Sequence, residues 1–175
     1  LQDPRQPLQN RAIQAQYPPG STYKIIMAVA GLEEGVITPK TTIYCNGFFP
    51  FGNHVFKDWK KGGHAIVNVH AALVQSCDVF FYWLGQHLGI DTMARYAKGC
   101  GLGAPTGFDV HEKPGLVPST EWKRKARGEP WYPGETISAA IGQGYNLVTP
   151  LQLANVISAV ANGGTLYQPR VVKRV

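Results

Sequence analysis

Apolar residues crowd the stretch from Tyr23 to Glu34 on all but its last turn, a density that predicts a buried helix. Pro18-Pro19-Gly20 stops whatever precedes it, Ser21 or Thr22 can cap the first turn, and Gly35 ends the run. From Thr41 to Gly63 no period is sustained, and aromatics mix with Gly, Pro and Asn, so an irregular excursion with short strands is expected. Asn68 then caps a long helical pattern, Val69 to Leu88. Ser76-Cys77-Asp78 interrupts it with three small residues that compete for backbone hydrogen bonds, which predicts two helices with a break. Asp91 opens a short helix to Lys98, and Thr120 opens another through Lys125. Thr149-Pro150 gives a cap followed by proline in the first turn, and Leu151 to Ala161 runs to Asn162-Gly163-Gly164. Val171 to Val175 alternates like the start of a strand. No repeat or low-complexity tract divides the chain, which reads as one unit.

At 175 residues, 44% apolar and 16% charged, the chain can bury a real core, and disorder is excluded. The longest apolar stretch, Ile25 to Leu32, is far short of the roughly 18 residues a membrane-crossing helix needs. Leu1 to Gln16 lacks the basic start and apolar run of an export signal, so the chain is expected to be a piece of something longer, with any targeting information upstream. The net charge of +6 favours acidic partners through attraction that salt screens. Basic residues gather in Lys57 to Lys61 and Lys123 to Arg127 without a run of interleaved aromatics. Contact with an anionic envelope polymer or lipid head group therefore ranks ahead of nucleic acid, and no nucleic-acid partner is expected.

Two groups of residues carry candidate chemistry. Ser21 and Lys24 lie three apart at a helix start, on one face about one turn apart. A serine hydroxyl is a weak nucleophile unless a base takes its proton, and a lysine serves when burial lowers its pKa toward neutral. A bare S-x-x-K also arises by chance as a capping serine beside a solvated lysine, so context must decide. The second group, Cys45, Asp58, His64 and Cys77, offers four side chains of types zinc accepts, at a spacing that matches no standard finger. A Cys45 to Cys77 disulfide and a set of buried free thiols compete with a metal, and the free thiol is the reading for Cys100 between Gly99 and Gly101. His54 and His70 are spare ligands.

Pro18-Pro19-Gly20-Ser21-Thr22-Tyr23-Lys24, with Asn10-Arg11-Ala12 upstream, closely resembles the first active-site motif of class B penicillin-binding proteins, whose motif set is S-x-x-K, S-D-N and K-T-G. Ser76-Cys77-Asp78 falls where the second motif belongs, with Asp where many members have Asn, as in the elongation-specific subset. Gly142-Gln143-Gly144-Tyr145, Thr149-Pro150-Leu151-Gln152-Leu153-Ala154 and Ala161-Asn162-Gly163-Gly164 match further class B segments. Asp58-Trp59-Lys60-Lys61 and Trp122-Lys123 look like the rod-elongation branch of that family. The resemblance covers nearly the whole chain and implies an α+β domain of the serine transpeptidase and β-lactamase type, represented mainly by its helical part. No K-T-G or equivalent occurs in residues 1–175, which therefore read as a partial transpeptidase domain lacking the strand with the third motif. Helices that such strands would cover are expected to expose apolar surface.

The resemblance also implies roles. Ser21 would attack the penultimate D-alanine carbonyl of a peptidoglycan stem peptide, with Lys24 as base, Ser76 as proton shuttle to the leaving group and Asp78 orienting Lys24 or meeting substrate. The Ser21 amide would supply half an oxyanion hole, and Gln143 would support structure. β-Lactams would acylate the same serine. No cofactor is implied for catalysis. A structural zinc is, on Asp58, His64 and Cys77, with Cys45 where relatives have Asp. For the full protein the implied setting is the periplasmic face of the bacterial inner membrane, with an upstream anchor, a glycan-polymerising membrane partner and a role in cell elongation. A serine β-lactamase or penicillin sensor, and a non-catalytic interaction module, are the rival readings.

Overall fold

The computed structural model of the chain describes residues 3–4 and 7–172. In chain order the elements are α1 (Arg11–Gln14), a 3-10 turn (Gly20–Tyr23), α2 (Lys24–Glu33), β1 (Thr42–Cys45), β2 (Phe48–Phe51), β3 (His54–Lys57), β4 (Ala65–Asn68), α3 (Val69–Val74), α4 (Asp78–Leu88), α5 (Ile90–Gly99), α6 (Thr120–Arg127), α7 (Pro133–Ala139) and α8 (Pro150–Ala161). They gather into two compact units. One comprises Gly20–Tyr96 and Pro118–Gly144; the other comprises Leu1–Pro19, Ala97–Val117 and Tyr145–Val175. Among the described residues no helix is long and apolar enough to cross a membrane.

The first of these units is built around α4, whose Phe80, Phe81 and Leu84 are fully buried. Small residues let its neighbours close in: a Cβ on Gly31 of α2 would lie 2.8 Å from Leu84, and one on Gly85 would lie 2.4 Å from the Ala140 methyl just after α7. The region from Thr41 to Gly63 does hold short strands. β1 pairs antiparallel with β4, Thr42 opposite Asn68 through Cys45 opposite Ala65, and β2 pairs with β3 in a hairpin. Phe49 and Phe56 of the hairpin pack on Tyr82 of α4, whose hydroxyl donates to the Lys57 carbonyl at 3.2 Å. The expected break in the long helical pattern is present: α3 ends at Val74 and α4 begins at Asp78. Asn68 caps α3 by accepting from the Ala71 amide at 2.9 Å.

Several local expectations change. The helix predicted over Tyr23 to Glu34 begins at Lys24, preceded by the 3-10 turn, and no side chain caps it; Ser21 is inside the turn instead. Its burial is one-sided, with Val29 and Leu32 exposed, and in the other unit Ile157 and Val160 of α8 are exposed as well. Asp91 belongs to a helix that starts one residue earlier, and its carboxylate accepts from the Thr120 amide and hydroxyl, bracing the start of α6. Lys123 opens one of the two basic clusters, yet it is not solvated. It is buried, with Nζ 2.6 and 2.7 Å from the two Glu135 oxygens and beneath the Tyr132 ring.

In the second unit Thr149 and Gln152 form a reciprocal capping box at the start of α8, with Pro150 in its first turn. The Gln152 amide nitrogen then donates to the Ala104 and Pro114 carbonyls, pinning two loops to one helix end. Isolated antiparallel bridges join Tyr17 with Val148 and Leu116 with Leu147. The strand expected over Val171 to Val175 is not formed at Val171 and Val172, and its remainder lies outside the described residues.

Glycine substitutions test the packing around α4. Gly85→Ala forces a methyl into Ala140 and is expected to destabilise the chain by about 1–3 kcal/mol in urea denaturation. Gly134→Ala, in α7 with open space at its Cβ, is expected to be neutral or to stabilise by about 0.4–1 kcal/mol.

Candidate active site

The turn that carries Ser21 is set by two glycines. Gly20 adopts φ +57° and donates its amide to the Gly142 carbonyl at 3.0 Å, while a Cβ on Gly142 would lie 2.3 Å from the Gly20 carbonyl oxygen. Only a glycine at 142 lets the two backbones meet this closely. Gln143 donates its amide to the Ser138 carbonyl at 3.1 Å in the same turn. Ser21 is thereby exposed on the 3-10 turn that runs into α2, while Lys24, at the first position of α2, is buried.

Ser76 comes from the break between α3 and α4. Its φ of +53° is in the left-handed region, uncommon for a residue with a Cβ. From there Ser76 Oγ donates to Ser21 Oγ at 2.9 Å and accepts from Lys24 Nζ at 3.0 Å. Lys24 Nζ also donates to the Ser76 carbonyl at 2.9 Å and to Asp78 Oδ1 at 2.6 Å. All four residues expected from the sequence meet, but in a different order: Lys24 reaches Ser21 through Ser76 rather than directly along the helix face. The lysine side chain is 1% exposed and that of Asp78 12%, so the ammonium has a carboxylate counter-charge where water is nearly excluded. Phe81 closes one side, its ring centroid 5.6 Å from Nζ.

Directly behind this group, Cys45, Asp58, His64 and Cys77 converge, with one candidate ligand atom from each within 4.8 Å of the others and all four residues buried. Sequence separation is overcome by close backbone crossings. Gly63 lies so near Cys45 that a Cβ would fall 2.2 Å from the Cys45 carbonyl oxygen, and the His64 amide donates to that carbonyl at 3.1 Å. The Asp58 amide donates to the Gly47 carbonyl at 2.9 Å. Asp58 Oδ2 is 3.5 Å from each thiol sulfur, and His64 Nδ1 is 3.6 Å from both Cys45 Sγ and Asp58 Oδ1. A tetrahedral ion with ligands at 2.0–2.3 Å would have ligand-to-ligand edges of about 3.3–3.8 Å, so the donor set fits one. Both cysteines are free thiols in this structure, which does not form the alternative disulfide, and His54 and His70 are outside the cluster. His64 Nε2 is buried with no hydrogen-bond partner among the described residues.

The cluster is electrostatically uneven. Burial pushes the Asp58 carboxyl up, but the Lys60 and Val79 amides, with His64 and the Cys45 thiol, outweigh it and hold the group below the usual carboxylate range. Burial drives the Cys77 thiol well above its ordinary value, reinforced by Cys45 and Asp58. A Cys77 thiol that resists ionisation beside a carboxylate is what a cation would reorganise on binding. The third cysteine, Cys100, is half-buried rather than buried, and burial raises its pKa too.

Residues 2–175 match the family model described as penicillin binding protein transpeptidase domain, and the chain belongs to that family. It is 47% identical over 171 residues to the peptidoglycan D,D-transpeptidase MrdA of Acinetobacter baumannii, covering 96% of this chain and 25% of that protein. The structure of Pseudomonas aeruginosa PBP2 in complex with WCK 5153 superposes with a TM-score of 0.92 at 41% identity, covering 96% of this chain and 39% of that one. A chain from a peptidoglycan synthase complex, determined for its structural coordination of polymerization and crosslinking, gives 0.91 at 43% identity, covering 98% and 30%. The chain thus spans about a quarter of the length of the curated relatives it matches. Its fold is the penicillin-binding transpeptidase fold of the serine acyltransferase and β-lactamase superfamily, here a set of helices with two small two-stranded sheets.

Removing one partner of the buried ion pair is more damaging than removing both. Asp78→Ala is expected to lower stability by about 3–5 kcal/mol in urea denaturation, and adding Lys24→Met to recover much of the loss.

Proposed function

We propose that the protein containing this chain is a D,D-transpeptidase that cross-links peptidoglycan stem peptides through an acyl-enzyme on Ser21. The observation that carries the reading is the hydrogen-bonded series Ser21, Ser76, Lys24, Asp78, formed at a glycine-built turn that leaves Ser21 exposed while Lys24 and Asp78 are buried. Ser21 Oγ attacks the penultimate D-alanine carbonyl, and its proton passes by way of Ser76 Oγ to the neutral form of Lys24. Ser76 then returns a proton to the departing amine, so that the terminal D-alanine leaves as the acyl-enzyme forms. An amine of a second stem peptide attacks the ester and regenerates Ser21. Asp78 orients Lys24, and the positive end of α2 with the Ser21 amide supports the oxyanion. A β-lactam enters at the first step and is retained as the acyl-enzyme.

The third motif of the family completes the site on a strand outside these 175 residues in this reading. In the same reading the protein serves cell elongation, carries a membrane anchor upstream, acts at the periplasmic face of the inner membrane and works with a glycan-polymerising partner, the last supported by the similar chain from a peptidoglycan synthase complex that coordinates polymerization and crosslinking. We also infer that Cys45, Asp58, His64 and Cys77 hold a structural zinc, since two thiols, an imidazole and a carboxylate suit that ion. When bound, the ion would fix the excursion through Asp58 against the turn that presents Ser76; it takes no part in acyl transfer.

Intact-mass analysis of the full-length protein after exposure to a reactive penicillin tests the nucleophile. The expected result is one stable adduct that Ser21→Ala abolishes. Rapid release of the adduct would indicate a β-lactamase, and a folded protein left unmodified by several β-lactams would leave only an interaction module. For the metal, elemental analysis of the full-length protein is expected to find zinc that Cys77→Ser or Asp58→Asn removes, with chelation lowering the melting temperature by several degrees.

A further inference from the structure

Trp59 is 66% exposed, so burial accounts for little of what its large side chain contributes. Its polar contacts are more specific. The indole Nε1–H donates to the carbonyls of Gln75 and Ser76, at 3.1 Å each, and the backbone N–H donates to Asp78 Oδ2 at 3.2 Å. One residue thus holds both neighbours of Cys77, one through its ring and the other through its backbone.

The Ser76 carbonyl is where this matters. Ser76 is in a left-handed conformation that disfavours side chains, and its own amide donates only to the Leu73 carbonyl at 3.2 Å. Two donors converge on its carbonyl, Lys24 Nζ at 2.9 Å and the Trp59 indole at 3.1 Å. Held from two sides, the peptide that follows Ser76 resists the rotation that would relax the backbone toward the ordinary region. Such a rotation would swing Ser76 Oγ away from Ser21 Oγ and Lys24 Nζ, now 2.9 and 3.0 Å away. Lys24 has other bonds to make and, in the proposed reaction, changes its protonation; the indole N–H cannot ionise and keeps one role throughout.

We propose that Trp59 is a positioning residue for acylation, its indole N–H holding the Ser76 turn in the conformation that links Ser21 to Lys24. This rests on Ser21 being the nucleophile. The test replaces Trp59 in the full-length protein by β-(3-benzothienyl)alanine, which keeps the bicyclic ring and substitutes sulfur for N–H, with Trp59→Phe as a second variant. Penicillin acylation is followed to saturation by intact mass. Both variants are expected to lower the limiting rate about three- to tenfold, as loss of one hydrogen bond implies, with the half-saturating concentration and melting temperature unchanged.

An unchanged limiting rate in the benzothienyl variant would overturn the proposal. So would a raised half-saturating concentration at an unchanged limiting rate, which would make the ring a ligand platform, or a fall in rate matched by loss of folded protein. Failure of the underlying reading would look different: the unsubstituted protein would stay unmodified, or its Ser21→Ala variant would still be acylated.

Discussion

A lysine ammonium taken almost wholly out of water must be answered by an acceptor of opposite charge and by oxygen atoms for its remaining hydrogens. Lys24 finds all of these on one short segment: the Asp78 carboxylate, the Ser76 hydroxyl and the Ser76 carbonyl. That demand ties the start of α2 to the break between α3 and α4 more firmly than apolar contact alone would, because apolar contacts tolerate sliding and these bonds do not. The rest of the site follows from the tie. A break rather than a continuous helix is needed for Ser76 to turn back toward Lys24, and a 3-10 turn rather than a capped helix start is needed for Ser21 to meet it.

The cysteine and histidine cluster answers a different need in the same place. The stretch through Asp58 carries few fully buried apolar side chains, and β2 and β3 are only partly covered. Its attachment to α4 comes from Tyr82, from the Val79 amide that Asp58 accepts and from the four buried donors, while the backbone crossing at Gly63 closes the stretch on itself. Residues 76, 77 and 78 alternate between the two groups: Ser76 and Asp78 face Lys24, and Cys77 between them faces Asp58.

Much of this was legible in the chain. The break at Ser76-Cys77-Asp78 and the Asn68 and Thr149 caps come from local composition and spacing, while the four donors were gathered by residue type and by the family resemblance, which also joined the motifs into one site. What was hidden depended on contacts remote in sequence. Nothing near Lys24 signals that its partners are Ser76 and Asp78 rather than Ser21, since helical spacing alone puts Ser21 on its face. β4 escaped notice because its partner β1 lies across the whole excursion, and α7 because Pro133 and Gly134 look like turn residues until Pro is placed in a first helical turn. The buried Lys123 was masked by basic neighbours, its partner Glu135 lying beyond a Gly and Pro segment. Gly142 carried a readable signal in its two-glycine motif, but the strand of chain it clamps could not be named.

The Cys77 side chain makes no capping bond at the start of α4; the Val79 amide is instead accepted by Asp58 Oδ2 at 3.1 Å, from twenty-one residues earlier in the chain. A negative charge there also complements the helix dipole. The helix that carries Asp78 therefore draws part of its N-terminal cap from outside its own sequence. Bringing Asp58 back to this helix costs loop-closure entropy, and the first turn of α4 has its full set of acceptors only once that closure is made. The reactive turn and the stretch through Asp58 therefore gain their order together.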